Sequence, residues 1–111
     1  MSTDHWIFHI LLKRHWEEAQ KMGYYTHASL QTQGFIHSSL QAQVLKSIQI
    51  HFKEEKDLYI LAIDPEKLQA ELKYEFSTSR QEDFPHIYGR LNLDAVERVY
   101  TLEEWKQTFF S

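Results

Sequence analysis

The feature that most constrains this chain is a run of six consecutive apolar side chains, Leu58–Ile63. Successive side chains of a strand point to opposite faces, so an uninterrupted apolar run predicts a strand that is covered on both faces. Asp57 precedes the run, and Pro65 ends it because proline has no N–H to donate to a sheet. We therefore expect Asp57–Ile63 to be the central strand of the fold.

Further strands and helices follow from side-chain periodicity and helix caps. Ser38 with Gln41, and Thr101 with Glu104, have the spacing of capping boxes. Leu72, Tyr74 and Phe76 alternate with charged residues, which predicts a half-buried strand. The other predicted elements are strands at Trp6–Leu12, Gly34–His37 and Val96–Thr101, helices at His15–Met22 and Leu40–Phe52, and a short C-terminal helix. Because these elements show no regular βαβ alternation, the pattern predicts an α+β class.

Length and composition limit the organisation and the chemistry of the chain. Its 111 residues favour one domain, residues 1–111. The absence of cysteine excludes a disulfide framework, a zinc ribbon, an iron–sulfur centre and a thiol nucleophile. A formal net charge of −4 argues against broad binding of nucleic acid, whose phosphates repel an acidic protein.

The N-terminal region offers no targeting or membrane segment by the usual criteria. Its apolar stretch, Ile7–Leu12, is followed at once by Lys13 and Arg14. Such a stretch is shorter than a signal peptide's hydrophobic region and much shorter than the roughly 20 residues of a spanning helix. We therefore expect a cytoplasmic protein with no membrane partner.

Three of the seven histidines lie within or beside apolar runs, namely His9, His37 and His86. A buried imidazole that lacks a partner costs about 1–3 kcal/mol, so each of the three should have a protein partner or a ligand. Each either braces a loop or faces a binding site. With a carboxylate such as Glu75, they have the donor atoms for zinc or iron, but their spacing matches no preformed metal site.

The remaining candidates have weaker patterns. His5, His15 and His27 are predicted on the surface, and His51 at the edge of an apolar helix stripe. Glu75 is either an exposed carboxylate or the floor of a cleft, where it would bind a hydroxyl or a developing cation. The sequence contains no phosphate-binding loop and no dinucleotide, hydrolase or zinc-protease motif.

Two segments of the chain are especially distinctive, namely Gly34-Phe35-Ile36-His37-Ser38-Ser39 and Phe84-Pro85-His86-Ile87-Tyr88-Gly89. They occur together with Ile7-Phe8-His9-Ile10, Trp16, Ala19, Gly23, Tyr25, Ser29-Leu30, Gln43-Val44, Asp57-Leu58, Ile63-Asp64 and Tyr74-Glu75. In this order the segments resemble domain-of-unknown-function family 952 over about residues 6–102. The resemblance implies a fold similar to ADP-ribosyltransferases, with a split or mixed sheet around an NAD-binding cleft.

By position, the resemblance gives His9 the role of holding a ribose hydroxyl and His37 that of lying along the ligand. Glu75 or His86 would take the third catalytic position, and the two alternatives stay open. The same segments supply Ser29, Phe35 and Ser38 as ligand-binding residues. Trp16 or Tyr88 would form an aromatic wall. Arg90, where relatives often have proline, would either meet a phosphate or be solvated.

The sequence therefore leads to an NAD-binding or ADP-ribose-binding cleft, with transfer of ADP-ribose if the domain is an enzyme. The alternative is a non-catalytic ligand-binding or interaction module on the same fold. A third interpretation is a metal site formed by histidines and a glutamate. It is the least favoured of the three, so we expect no bound metal.

Overall fold

A computed structural model describes residues 3–110 of the chain. The apolar run forms β4 (Leu58–Ile63), which lies between β1 (Ile7–Leu12) and β8 (Val96–Thr101). Both pairings are antiparallel, and Ile7 lies opposite Ile63 on β1 and β4. Leu61 and Ile63 pack on one side of β4, and Ile60 packs on the other, all three fully buried. The prediction of a central strand covered on both faces is confirmed.

A second three-stranded sheet contains β3 (Ile36–His37), β6 (Glu82–Tyr88) and β5 (Glu71–Ser77), with β6 in the middle. A third, two-stranded sheet pairs β2 (Tyr24–Tyr25) with β7 (Leu91–Asn92). The two larger sheets meet where Phe8 and Ser39 exchange backbone hydrogen bonds of 2.8 and 2.7 Å. The predicted α+β class is confirmed. The prediction of a mixed sheet is wrong, because all strand pairings among residues 3–110 are antiparallel.

Four short helices complete the fold: α1 (Lys13–Met22), α2 (Ser29–Thr32), α3 (Val44–His51) and α4 (Leu102–Phe109). Gly23 ends α1 with a φ of +88° and donates its N–H to Ala19 at 2.8 Å, a left-handed cap that favours glycine. At the start of α4, Thr101 Oγ1 accepts from the Glu104 N–H and Glu104 Oε1 accepts from the Thr101 N–H. The predicted Thr101–Glu104 capping box is confirmed.

The predicted Ser38–Gln41 capping box is wrong. Ser38 donates its hydroxyl proton to the Pro85 carbonyl oxygen at 2.7 Å and is buried between β3 and β6. A 3-10 turn, Gln41–Gln43, replaces the first turn of the expected helix, and the Gln43 side chain accepts from the Leu40 N–H. Tertiary contact with β6 thus decides the role of this serine.

The strand β5 also departs from its predicted pattern. Tyr74 and Phe76 are 53% and 58% exposed, and on this side of the strand only Leu72 is half-buried. β5 is an edge strand of its sheet, and its C-terminal half extends past the two-residue β3. No layer covers this part of the strand, so alternation of apolar residues did not lead to burial.

The core consists of two clusters on opposite sides of the β1–β4–β8 sheet. One contains Trp16, Tyr25 and Leu91, and the other contains Phe8, Trp105 and Phe109. On β1, Phe8 and Ile10 face the second cluster, so His9 points to the opposite side. None of the helices within residues 3–110 has the length and apolar character needed to cross a membrane.

Candidate functional site

Five of the seven histidines line one cavity of about 660 Å³. They come from β1, the loop after β2, β3, α3 and β6: His9, His27, His37, His51 and His86. Hydroxyl groups and aromatic rings line the rest, including Ser29, Ser38, Ser39, Ser47, Phe52, Phe76 and Phe84. A cavity of this size, with apolar walls and a few convergent polar groups, is typical of small-molecule sites.

His9 lies at the buried end of the cavity with both ring nitrogens in hydrogen bonds. Its Nδ1–H donates to the His37 carbonyl oxygen at 2.6 Å, because a carbonyl can only accept. Its Nε2 therefore accepts from the Tyr25 hydroxyl at 2.9 Å. Burial lowers the pKa of His9 to about 4, so the ring is neutral at pH 7. In this arrangement His9 positions the His37 backbone, and a ribose hydroxyl would have to displace Tyr25 to reach its ring.

His37 is more accessible and lies between Gln33 and His86. Its Nε2–H donates to Gln33 Oε1, and its ring centroid is 5.5 Å from that of His86. Burial and then the neighbouring His86 lower the pKa of His37. The Nδ1 atom has no hydrogen-bond partner among residues 3–110, so it can accept a proton or a hydrogen bond from a ligand.

His27 is exposed, as the sequence predicts, and it also forms part of the cavity wall. Its Nδ1 accepts from the Ser29 backbone N–H at 3.0 Å and lies 2.9 Å from Ser29 Oγ. These contacts place the proton of the neutral ring on Nε2. Burial and then the nearby His15 lower the pKa of His27.

Glu75 and His86, which the sequence left as alternatives, act together. His86 Nδ1–H donates to Glu75 Oε1 at 2.8 Å, and Tyr88 donates its hydroxyl proton to the same oxygen. Both hydrogen bonds lower the pKa of Glu75, and the one from Tyr88 has the larger effect. Phe35 stacks on the His86 ring with centroids 3.8 Å apart and planes 13° apart. The ring is thus held from two sides, while its Nε2 has no protein partner among the described residues.

The cavity wall also contains the cationic side chain of Arg80, which the sequence analysis did not indicate. Arg80 lies in the turn between β5 and β6, where its Nη1 donates to Ser47 Oγ at 3.2 Å. Ser47 Oγ is in turn 3.1 Å from Ser39 Oγ, and the guanidinium lies over the Phe84 ring at 4.7 Å. The Arg80 Nε and Nη2 atoms are buried and have no hydrogen-bond partner. No local pattern could have identified this site, because Ser39, Ser47 and Arg80 come from three separate segments.

The structure places the ten sequence-predicted site residues in three groups. His9, His37, His86, Ser29 and Ser38 line the cavity. Phe35, Glu75 and Tyr88 lie behind His86 and contact or support it. Trp16 and Arg90 are elsewhere.

The assignments of Trp16 and Arg90 to the cleft are therefore corrected. Trp16 is 8% exposed and packs in the core, because α1 buries its apolar face against β1 and β4. Arg90 lies over the Tyr24 ring at 4.3 Å, where the aromatic face attracts the guanidinium. The cation beside the cavity is Arg80.

The cavity histidines do not form a close set of metal ligands. Within residues 3–110, a group of three or more ligand atoms within 4.8 Å of one another is found at His5, Asp64 and Glu66, outside the cavity. In the cavity, both His9 nitrogens are used by protein groups and His86 Nδ1 is bonded to Glu75. The observed hydrogen bonds therefore do not support the reading of three histidines and Glu75 as one metal centre.

Residues 10–99 match the family described as "Protein of unknown function (DUF952)". The chain belongs to this family. Its match includes the cavity residues His27, His37, His86 and Arg80, and it begins one residue after His9. No curated protein matches the chain.

Solved structures of a protein from Caulobacter crescentus share this architecture. The X-ray structure of protein CC0527 from Caulobacter crescentus is 32% identical to this chain, with a TM-score of 0.77, and the match covers 85% of this chain and 82% of that one. The solution NMR structure of CC0527 is 31% identical, with a TM-score of 0.76, and the match covers 88% and 84%. Both were structural genomics targets.

Proposed function

We propose that the cavity binds a nucleotide that contains a ribose, such as NAD or ADP-ribose. The observation that carries the proposal is the convergence of His9, His37 and His86 on one cavity from three separate strands. Two of these rings offer a nitrogen with no protein partner, at His37 Nδ1 and His86 Nε2, and both nitrogens suit hydrogen bonds to ribose hydroxyls.

The other walls complement a nucleotide in chemistry. Phe52, Phe76 and Phe84 supply aromatic surface for a base, and the serine hydroxyls and Arg80 supply donors for phosphate oxygens. The cavity volume of about 660 Å³ lies within the range of about 300–1,000 Å³ that is usual for small-molecule sites.

If the domain transfers ADP-ribose, His86 is the candidate general base. The bond between ribose C1′ and the nicotinamide nitrogen breaks, and nicotinamide leaves with the electron pair. A hydroxyl of the acceptor forms the new bond to C1′, and His86 Nε2 takes its proton. Glu75 accepts a hydrogen bond from the His86 Nδ1–H, which orients the ring, and it stabilises the positive charge that then forms on His86.

A second candidate function is binding without transfer, and one observation favours it. The described residues that line the cavity include no aspartate or glutamate. Glu75, which the resemblance places near the nicotinamide ribose, lies behind His86 instead. A carboxylate that would stabilise the cationic transition state is therefore missing from the wall.

Isothermal titration calorimetry tests the shared part of both candidates. The wild-type protein should bind ADP-ribose, and His37→Ala and His86→Ala should each weaken binding about tenfold, the value of one lost hydrogen bond. His5→Ala, outside the cavity, is the matched control and should bind like the wild type. Absence of any heat with NAD and ADP-ribose, or equal affinities in all four proteins, would remove the proposal.

Chromatography of nicotinamide then separates the two candidates. The protein is incubated with NAD and a cell extract, and His86→Ala is the parallel sample. Nicotinamide release that depends on His86 supports transfer. Tight binding with release no faster than in the variant supports the binding module.

A further inference from the structure

We propose that Arg80 and Ser47 form a phosphate-binding subsite in the wall of the cavity. The inference deepens the proposed function and rests on it, since the phosphate would belong to the bound nucleotide. It starts from the half-buried Arg80 guanidinium, which has no protein counterion among the described residues and has two buried nitrogens without a hydrogen-bond partner.

The Arg80 guanidinium has no carboxylate within 4.0 Å among residues 3–110. The adjacent Glu82 accepts a hydrogen bond from Gln43 instead. A guanidinium that is taken out of water and not paired with an anion is costly for the folded state. Such a group is more readily explained by a ligand than by a contribution to stability.

The geometry of the guanidinium indicates what kind of group would pair with it. Nη1 is used by Ser47, while Nε and Nη2 both lack a partner. These two nitrogens lie on the same edge of the planar group and donate in parallel, which matches two oxygens of one phosphate. The Ser47 hydroxyl, which accepts from Arg80, has its own proton free to donate to Ser39 or to a third phosphate oxygen.

The position of Arg80 relative to the cavity histidines fits a nucleotide that binds its ribose at the histidines and its phosphate at Arg80. His86 and Phe84 are two residues apart on β6 and face the same side, about 7 Å from each other along the strand. Arg80 lies over the Phe84 ring. The spacing of about 7 Å between positions 84 and 86 is of the order of the length of a ribose, so a sugar at the histidines would direct its phosphate towards Arg80.

Access to the free edge requires a small movement of the turn between β5 and β6, because protein atoms cover Nε and Nη2. Thr78, Ser79 and Gln81 in this turn are exposed. Gln81 adopts a φ of +58°, a left-handed conformation that is unfavourable for a residue other than glycine. A phosphate would therefore have to displace this exposed turn to reach Nε and Nη2.

Nuclear magnetic resonance of the arginine Nε–H group tests the subsite directly. Addition of inorganic pyrophosphate should shift the Arg80 signal, which is assigned by its loss in Arg80→Gln, and should leave the Arg98 signal in place. Acetate at the same concentration is the control for a general anion effect. No shift with pyrophosphate, or an equal shift with acetate, would overturn the subsite.

Isothermal titration calorimetry with ADP-ribose and with adenosine, which lacks the phosphates, tests whether the subsite binds the phosphate of the nucleotide. Arg80→Gln should weaken ADP-ribose binding about 10- to 100-fold and leave adenosine binding unchanged, while Arg98→Gln on β8 should change neither. ADP-ribose binding that is unaffected by Arg80→Gln would overturn the subsite and leave the proposed function standing. A pyrophosphate shift without any binding of ADP-ribose would retain the subsite and remove the nucleotide.

Thermal unfolding distinguishes a ligand group from a structural one. Arg80→Gln removes a half-buried guanidinium that has no protein counterion among the described residues, so its Tm should equal or exceed that of the wild type. A Tm that falls by several degrees, together with unchanged ADP-ribose affinity, would assign Arg80 a structural role and overturn the proposal.

Discussion

The two three-stranded sheets of this protein have similar sizes but differ in how their apolar and polar side chains are distributed. In the β1–β4–β8 sheet, the middle strand is apolar at every position and is covered on both faces. In the β3–β6–β5 sheet, the middle strand carries Pro85, His86 and Tyr88, and the edge strand exposes two aromatic rings. The first sheet forms the centre of the core, and the second contributes His37 and His86, the two cavity histidines with a ring nitrogen that lacks a partner among the described residues. The cavity lies where the two sheets meet at Phe8 and Ser39.

The comparison teaches that polar groups are tolerated where the apolar layer is incomplete. His9 is the exception on the buried sheet, and its two hydrogen bonds connect β1 to β2 and to β3. A buried imidazole with both nitrogens bonded links elements and avoids the penalty of an unpaired polar group.

Truncation of one apolar side chain in each sheet gives the largest expected contrast. Ile60→Ala on β4 removes a fully buried side chain and should lower the free energy of unfolding by about 2–5 kcal/mol. Tyr74→Ala on β5 removes a half-exposed ring and should change it by no more than about 0.5 kcal/mol. Urea denaturation measures both. Equal losses in the two variants would contradict the division of roles between the sheets.

The pH dependence of stability tests His9 as the buried link. Its folded-state pKa of about 4 lies below the unfolded value of 6.5, so the unfolded chain binds the proton more readily. Its contribution is therefore fully present above pH 6.5 and is lost as the pH falls from 6.5 to 4. A shift of this size corresponds to roughly 3 kcal/mol.

The measurement compares urea denaturation of the wild type and His9→Gln at several pH values. The glutamine variant should be less stable at pH 7, and the difference should shrink towards pH 4. His5→Gln, outside the cavity, provides the control for an exposed imidazole. A stability difference between the wild type and His9→Gln that stays constant over this range would show that His9 is not buried as a neutral ring.

A small effect on stability is also expected at Glu75, where the main change is in the tautomer of the His86 ring. Glu75 is 39% exposed, so Glu75→Gln should leave the midpoint of urea unfolding nearly unchanged. The carboxylate holds the proton of His86 on Nδ1, and an amide that can rotate its NH₂ group towards the ring removes this preference. Long-range ¹⁵N–¹H spectra report the tautomer. An Nε2–H tautomer in the wild type would contradict the role of Glu75.

Several residues show how far local sequence patterns predicted the site. His9, His37 and His86 were recognised because an imidazole inside an apolar run needs a partner, and all three line the cavity. Arg80 was missed because a polar turn between two strands looks the same whether its arginine faces water or a cavity. Trp16 was misplaced because an aromatic residue on an amphipathic helix has the same spacing in a core as at a cleft.

The sequence by itself determined the parts of this protein that depend on neighbours within a few residues. The apolar run of β4, the Gly23 cap and the Thr101–Glu104 capping box follow from backbone geometry and local hydrogen bonds. Only the tertiary structure decided which polar side chains meet, such as His9 with Tyr25 and the His37 backbone, or Arg80 with Ser47. The partners in these contacts are 16 to 33 residues apart in the chain. Their meeting depends on strand order and register, and a shift of one residue in the register of β1 would turn His9 to the other face of its sheet.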